Sequence, residues 1–168
     1  MIEFNFYLNK YILQPIYNLY CRKHIKNKSF TIISNNCWAG GIYQDLKLPY
    51  ATPTIGLFFY PEDYICFLED LKNCINAPLE FTKKSKYNNV NSKYPIGLIN
   101  NKIEIHFLHY KTEKEAKSKW NRRVKRINWN NLYIKMDDRD GCTLDIIKRF
   151  DQLPFKDKIF FQPKSMTI

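Results

Sequence analysis

Short runs of β-branched and aromatic residues alternate along this sequence with segments whose apolar residues repeat at helical spacing. Residues 29–34 and 54–60 predict two buried strands. Residues 61–76 predict a helix, because Pro61 suits a first helical position and the apolar residues after it recur three and four positions apart. This alternation is typical of an α/β domain of three layers, in which helices cover a mostly parallel or mixed sheet.

One antiparallel hairpin is expected near the middle of the chain. Residues 96–99 and 103–109 are apolar runs on either side of Asn100-Asn101, a pair typical of two-residue hairpin turns. The remaining expected elements are an aromatic-rich helix over 6–25, a short helix over 41–46, strands over 79–82, 132–136 and 158–161, and helices over 113–127 and 142–150. No repeat or linker divides them, so residues 1–168 are expected to form a single domain with the N-terminal helix packed on it.

Positive charge is concentrated in one quarter of the chain. The 168 residues include 27 lysines and arginines against 16 acidic residues, a net charge of +11. Residues 83–126 alone carry 13 basic and three acidic side chains. This concentration favours anionic partners, such as phosphorylated substrates or an anionic membrane surface. The lysines also fit an AT-rich coding bias, which would give them no binding role.

Cysteine usage and hydropathy indicate a cytoplasmic protein. The five cysteines include no C-x-x-C pair, so neither a disulfide framework nor a structural zinc site is expected. No apolar run approaches the ~18 residues of a membrane-spanning helix, and residues 1–10 lack the pattern of a signal peptide. We therefore expect a cytoplasmic location, at most peripheral to the inner face of the membrane.

The carboxyl ends of the predicted strands are the expected place for a site, because ligands of open α/β sheets bind there. In the first such segment, Asn35 and Asn36 offer hydrogen-bonding amides, and Gly40-Gly41 leads into a helix whose N–H groups could hold an anion. Cys37 is a candidate nucleophile if that helix end favours its thiolate. The same residues also fit a tight turn in which the asparagines bond to their own backbone.

Two histidines follow the second strand of the predicted hairpin. His106 and His109 would point to opposite faces of a regular strand, so a joint metal site is not expected. His109, which is nearer the strand end, is a candidate general base or hydrogen-bond donor to a phosphate group. A histidine buried under a helix is the competing interpretation.

The helix predicted over 113–127 carries a row of basic residues and begins with the T-x-x-E pattern of a capping box. On a wheel of about 100° per residue, Lys119, Arg123 and Arg126 lie in one row beside the buried face. Such a row can hold phosphates by bidentate hydrogen bonds. It also fits an ordinary solvated helix face.

An acidic cluster follows the strand predicted over 132–136. Asp138 and Asp140 have the D-x-D spacing with which many nucleotide-sugar transferases hold a divalent cation and a diphosphate. The spacing predicts ligands for Mn²⁺ or Mg²⁺, with Asp138 also a candidate general base. Asp140 equally fits the cap of the helix that starts near Thr143. The cluster would repel a nucleic-acid backbone, so no nucleic-acid partner is expected.

Three segments carry a family resemblance. TIISNNCWAGGIYQDLKLPYATPTIGLFF, IHFLHYKTEKEAKSKWNRRVKRI and FDQLPFKDKIFF resemble the bacterial domain-of-unknown-function 1919 family, from about Phe30 to Phe161. Members of that family are often labelled exopolysaccharide or capsule biosynthesis proteins. The resemblance implies a single α/β domain and a role in surface-polysaccharide synthesis. Carried over by position, it points to Asn35, Asn36, Cys37, Gly40, Gly41, His106, His109, Trp120, Arg123, Arg126 and Asp138.

Together, these features predict a transferase of surface-polysaccharide assembly, in particular a glycosyltransferase. The donor would be a nucleotide sugar or another phosphorylated sugar, and the acceptor would be lipid-linked. Arg123 and Arg126 would hold the diphosphate, while Asn35 and Asn36 would orient sugar hydroxyls.

Two alternatives stay open at this point. The protein could be a non-catalytic sugar- or anion-binding accessory subunit of the same pathway. It could instead be a cysteine-dependent transferase that acts through Cys37 and His109. Resistance of the activity to thiol alkylation would exclude this second alternative.

Overall fold

The computed structural model describes residues 9–87 and 93–162, so part of the predicted 6–25 helix lies outside the described residues. A π-helical turn, Asn9–Leu13, leads into the first α-helix. The helices are α1 (Gln14–His24), α2 (Trp38–Asp45), α3 (Pro61–Glu69), α4 (Leu71–Asn76), α5 (Glu113–Val124) and α6 (Leu144–Gln152). The strands are β1 (Thr31–Ser34), β2 (Leu79–Thr82), β3 (Ile96–Ile99), β4 (Ile103–His106), β5 (Leu132–Asp137) and β6 (Asp157–Phe161). Within these ranges, no helix combines the length and the apolar character that crossing a membrane requires.

Two three-stranded sheets form the framework. One is parallel, in the order β1-β5-β6, with Ile33 opposite Ile134 and Ile134 opposite Lys158. The other is antiparallel, in the order β2-β3-β4. The predicted α/β class is therefore confirmed, although the antiparallel part has three strands instead of the two of the expected hairpin.

The hairpin turn between β3 and β4 is the one that the sequence predicts. Asn100 and Asn101 both have left-handed backbone conformations, with φ of 53° and 54°. Two consecutive left-handed residues are the requirement of a type I′ turn, whose twist matches that of the strands. Asparagine tolerates this conformation better than most residues, so the dipeptide fixes the register of β3 on β4.

The segment 54–60 was predicted as a regular strand, and that prediction is wrong. Phe58 exchanges two backbone hydrogen bonds of 2.9 Å with His106 of the antiparallel sheet, in an isolated bridge. The N–H of Phe59 donates instead to the carbonyl of Asn35, at the end of the parallel sheet, over 2.9 Å. The segment thus joins the two sheets instead of extending either, because its glycine has a φ of 69° and turns the chain just before Phe58.

The helix predicted over 61–76 is two helices, α3 and α4. Asp70 leaves the helical conformation, with φ of −130° and ψ of 44°, and its carbonyl accepts from Cys74 N–H at the start of α4 (2.9 Å). Aspartate competes well for backbone bonds outside a helix, which favours such a break. The predicted apolar stripe is nevertheless buried on both sides of it, as Tyr64 and Ile75 illustrate.

Helix α5 begins at the predicted capping box. The Thr112 hydroxyl accepts a hydrogen bond from Glu115 N–H over 3.1 Å. Ala116 and Trp120 point into the core, whose larger part joins residues of both sheets with residues of α3, α5 and α6. A smaller part packs α2 against β1. Lys119 and Arg123 of α5 lie around one cavity with Cys37 and Gly40, which follow β1.

Candidate functional site

A cavity of about 450 Å³ opens beside the carboxyl end of β1, with walls from α2 and α5. We call it the basic cavity. Its lining residues are Cys37, Gly40, Gly41, Gln44, Tyr50, Ile55, Gly56, His109, Tyr110, Lys119 and Arg123. Six of these were predicted as site residues from the sequence, and they come from separate stretches of the chain. The strand-end glycines and the basic row of α5 therefore lie around the same space.

Two glycines shape the wall that α2 contributes to the basic cavity. Gly40 and Gly41 share one helix face with Cys37 and Gln44, three and four positions away. A Cβ at Gly41 would meet no atom within 4 Å, whereas one at Gly40 would lie 3.6 Å from Ile55. The space beside Gly41 thus belongs to the cavity and is not filled by packing.

Gly41→Ala is expected to raise the free energy of unfolding by about 0.5–1 kcal/mol, because alanine loses less backbone entropy in a helix. The new methyl group meets no neighbour. Denaturant unfolding of the variant beside the parent protein measures the effect. A loss of stability would contradict the open space at Gly41. The larger Gly41→Leu change should leave the protein folded and obstruct whatever the cavity binds.

Arg123 is not part of a solvated helix face. Only 6% of its surface is exposed, and its guanidinium lies 5.0 Å from the centre of the Tyr50 ring. One of its nitrogens donates to the Tyr110 hydroxyl over 2.5 Å, and that hydroxyl donates to the Ile55 carbonyl over 2.5 Å. Burial raises the pKa of Tyr110 although Arg123 lies against it, so the hydroxyl keeps its proton. The arrangement holds a fixed positive charge at the cavity wall.

The other two residues of the predicted basic row behave differently. Lys119 lines the basic cavity, pairs with Glu115 over 2.7 Å and lies 5.4 Å from the Tyr110 ring centre. Arg126 is exposed and donates to the Tyr50 carbonyl over 3.3 Å, so it stands beside the cavity without lining it. Of the three residues in the predicted row, Lys119 and Arg123 line the basic cavity and Arg126 does not.

A second cavity of about 520 Å³ shares Cys37 with the first. Its lining residues are Asn36, Cys37, Trp38, Phe58, Leu108, Arg139 and Asp140. We call it the aromatic cavity, because Trp38 and Phe58 contribute most of its ring surface. Exposed aromatic faces beside a few polar groups are suited to stacking against flat or ring-shaped ligands.

A buried polar network connects the ends of β1 and β5 at this site. Asp137 accepts hydrogen bonds from the side-chain amides of Asn35 (3.0 Å) and Asn36 (2.6 Å). The ammonium group of Lys135 donates to Asp137 (2.5 Å), and the Arg139 guanidinium does so over 3.0 Å. The asparagines predicted to orient a ligand are therefore engaged with the protein itself, and Asn36 alone of the two lines a cavity.

Charge is fixed within this network. Burial acts to raise the pKa of Asp137, but the hydrogen bonds from Arg139, Lys135 and Asn35 outweigh it and hold that pKa well below its usual range. Burial lowers the pKa of Lys135, opposed by its contact with Asp137. Asp137 is thus an ionised structural anchor at neutral pH and not a proton acceptor.

The two aspartates of the D-x-D spacing follow this anchor. Asp138 is half-buried, and one of its oxygens has no hydrogen-bond partner in the described part of the chain. Asp140 has a φ of 60° and lines the aromatic cavity. Across residues 9–87 and 93–162, no three His, Cys, Asp or Glu side chains group as metal ligands. A cation held by Asp138 and Asp140 would therefore need water or substrate oxygens as its other ligands.

Cys37 and His109 both line the basic cavity, whereas His106 lines neither cavity. Burial raises the pKa of the Cys37 thiol despite the nearby charge of Arg139, and the thiol lies 3.5 Å from the Leu57 carbonyl. A protonated thiol is a weak nucleophile, which disfavours the cysteine-dependent mechanism.

Sequence reasoning missed Lys135. The available signal was the spacing of Lys135 and Asp137, which places two opposite charges on one face of an otherwise apolar strand. Such a pair is tolerated in a buried strand when its charges neutralise each other and further hydrogen bonds complete the set.

The fold and the two cavities together define a mixed α/β protein with a basic cavity adjoining an aromatic one. The chain belongs to the family described as domain of unknown function (DUF1919), whose family model matches residues 8–168. The suspected family is therefore confirmed.

The chain is also similar to a protein of Haemophilus influenzae that is described as "Uncharacterized protein". The two are 38% identical over 143 residues, which cover 85% of this chain and 66% of that relative. The chain thus spans just under two thirds of the length of the relative that it matches.

Proposed function

We propose that this protein is a transferase of surface-polysaccharide synthesis, in particular a glycosyltransferase that uses a nucleotide-linked or otherwise phosphorylated sugar. It would work in the cytoplasm, at the inner face of the membrane, on a lipid-linked acceptor. The observation that carries the proposal is the pair of adjoining cavities, one basic and one aromatic, that share Cys37. A phosphorylated sugar presents the two matching features, a concentrated negative charge and a ring.

In this proposal the basic cavity holds the phosphates. Arg123 supplies a buried, oriented guanidinium that is suited to paired hydrogen bonds with phosphate oxygens. Lys119 adds a second positive charge from the preceding turn of α5, and Arg126 stands at the rim. The glycines of α2 leave the room that a phosphate group needs.

The aromatic cavity would hold the sugar, with its ring against Trp38 and its hydroxyl groups near Asn36 and Asp140. Transfer breaks the bond between the anomeric carbon and the phosphate oxygen and forms a bond to an acceptor oxygen. The phosphate leaving group keeps the electron pair, next to Arg123 and Lys119. Asp138 and Asp140 supply carboxylates that can take the acceptor proton or hold Mn²⁺ or Mg²⁺ with the donor's phosphates.

Thermal unfolding against a panel of nucleotide sugars, with and without Mn²⁺ or Mg²⁺, tests the donor site. A ligand at about 100 times its dissociation constant adds ~2.7 kcal/mol, which raises the midpoint by roughly 5–10 °C for a chain of this size. Arg123→Met should abolish that shift, measured from the variant's own midpoint. Arg122→Met, an exposed change on the same helix, is the matched control. An undiminished shift in Arg123→Met would refute the phosphate role.

A non-catalytic sugar- or anion-binding subunit of the same pathway is the second candidate. It is favoured by the polar side chains at the ends of β1 and β5, which are bonded to one another in the network around Asp137. Asp138→Asn separates the two candidates. An accessory subunit would keep its pathway function, whereas a transferase would lose release of the nucleotide product, whether Asp138 takes the acceptor proton or holds the cation.

A further inference from the structure

Helix α1 turns its apolar side chains towards solvent. No residue of this helix is buried. Seven apolar residues of the helix and the turn before it each expose between 51% and 62% of their surface: Tyr11, Ile12, Leu13, Ile16, Tyr17, Leu19 and Tyr20. A contiguous apolar surface of this kind on a water-exposed helix indicates a partner.

The opposite face of α1, which is largely polar, makes the contact with the rest of the protein. Asn18, Cys21 and Arg22 are partly buried, and they lie roughly opposite Ile16 and its neighbours on a wheel of ~100° per residue. The Arg22 guanidinium donates to the carbonyls of Leu46 and Lys47 at the end of α2. This orientation is the reverse of that of an ordinary surface helix, whose apolar side faces the core.

The helix and the segments next to it in sequence are positively charged, although Asp45 lines a cavity together with Ile16 and Leu19. Residues 9–44 contain five lysines and arginines and not one aspartate or glutamate. Lys23 and Lys26 are exposed at the C-terminal end of α1. A second copy of the chain would bring the same positive charge against this face, which opposes self-association. An anionic surface would be attracted.

We infer that the outward face of α1 binds an anionic lipid bilayer, with the helix lying in the plane of the membrane surface. The helical stretch over 9–24 is about 24 Å long, which suits a helix lying along the surface. Tyrosines such as Tyr17 and Tyr20 favour the boundary between acyl chains and headgroups. The inference stands independently of the proposed transferase activity, because it uses no residue of either cavity.

Flotation of the purified protein with vesicles tests this inference. Vesicles of 70% phosphatidylcholine and 30% phosphatidylglycerol should carry the protein at about 0.1 M salt, and pure phosphatidylcholine vesicles should carry far less. Absence of binding to the mixed vesicles would overturn the inference. The measurement needs no nucleotide sugar, so it can fail or succeed separately from the donor-binding test.

Substitutions on the apolar face should weaken vesicle binding without unfolding the protein. Ile12→Ser combined with Ile16→Ser should reduce partitioning at least tenfold, because two side chains of the inserted face become polar. Leu144→Ser combined with Ile159→Ser is the matched control, since these side chains are also exposed but lie elsewhere. Equal losses in both double variants would overturn the assignment to α1. Circular dichroism confirms that each variant is folded.

Charge variants identify the binding surface independently. Lys23→Gln with Lys26→Gln should weaken binding by about 25-fold, roughly fivefold for each lysine near an anionic surface. Lys114→Gln with Lys117→Gln, two exposed positions on α5, should leave it nearly unchanged. The opposite ranking would place the lipid contact in the basic segment 83–126 and overturn the inference. So would a lipid-independent dimer in sedimentation equilibrium that the Ile12 and Ile16 changes dissociate.

Discussion

Asp137→Asn is expected to lower the free energy of unfolding by about 3–5 kcal/mol, because it leaves a buried lysine without its counter-charge. Only 3% of the Lys135 side chain is exposed, and its ammonium group lies 2.5 Å from Asp137. Asparagine fits the same space but carries no charge, and its NH2 group would face donors where an acceptor is needed. Chemical denaturation at pH 7 measures the loss.

Two further variants show whether the loss arises from this ion pair. Asp140→Asn removes a carboxylate three residues further along the chain. Asparagine also tolerates the positive φ at this position, so the change should lower the free energy of unfolding by less than about 0.5 kcal/mol. Adding Lys135→Met to Asp137→Asn should recover part of the stability, because no unpaired charge remains. A double variant less stable than Asp137→Asn would contradict this account.

Acidification from pH 7 to pH 4 is expected to cost about 3 kcal/mol through His106 alone. Its side chain is fully buried, and this burial lowers the pKa of His106 to about 4, against a smaller opposing effect of Glu104. Because the folded pKa lies below the unfolded one, the contribution is complete above about pH 6.5 and is lost as pH falls towards 4. Urea unfolding at a series of pH values measures this.

The surroundings of His106 explain why it stays neutral. Its ring stacks on Phe58 with 4.6 Å between centroids, and Nδ1 lies 3.5 Å from the Tyr94 hydroxyl. Nε2 is 3.4 Å from a Glu104 oxygen but makes no hydrogen bond in the described part of the chain. Glu104 is itself held by the Ser85 hydroxyl over 2.6 Å. The carboxylate is therefore already satisfied and stabilises an imidazolium less than its distance suggests.

Variants separate His106 from the other groups that titrate in acid. His106→Phe should flatten the stability profile between pH 6.5 and 4. If His106→Phe does not fold, an NMR titration of the parent protein still decides the point. An imidazole signal of His106 that titrates near 6.5 in the folded state would refute the expectation. The contribution of Asp137 to stability is lost at lower pH than that of His106. Because the folded pKa of Asp137 lies below its ordinary value, this contribution is lost only as pH falls below about 4.

Local signals in the sequence were sufficient for most of the helices and for the hairpin. The capping box at Thr112 and the Asn100-Asn101 turn each act within a few residues, so their outcome does not depend on distant packing. The linking segment over 54–60 could not be predicted in the same way. Its apolar composition is that of a strand, but which sheet each of its residues joins depends on long-range contacts.

The candidate site also combines features that the sequence predicts with features that depend on long-range contacts. The strand-end rule and the basic row of α5 led to residues around one cavity, because both follow from topology and helical periodicity. The network around Asp137 was not foreseen, since Asn35 and Asp137 lie 102 residues apart in sequence. Whether an amide faces a ligand or a buried carboxylate is decided by pairing of β1 with β5, which a single sequence does not specify.

The linking segment between the sheets also limits how the cavities can adapt. Neighbouring residues, Phe58 and Phe59, are bonded through their backbones to different sheets, and Phe58 lines the aromatic cavity. Separating the sheets at this point would break these bonds together, so we expect the backbone around the aromatic cavity to move little. Adjustment to a ligand would consequently fall to partly exposed side chains that line the cavity, such as Trp38 and Leu108. If the proposed function holds, we therefore expect the range of ligands to depend on side-chain rotamers more than on movement of the sheets.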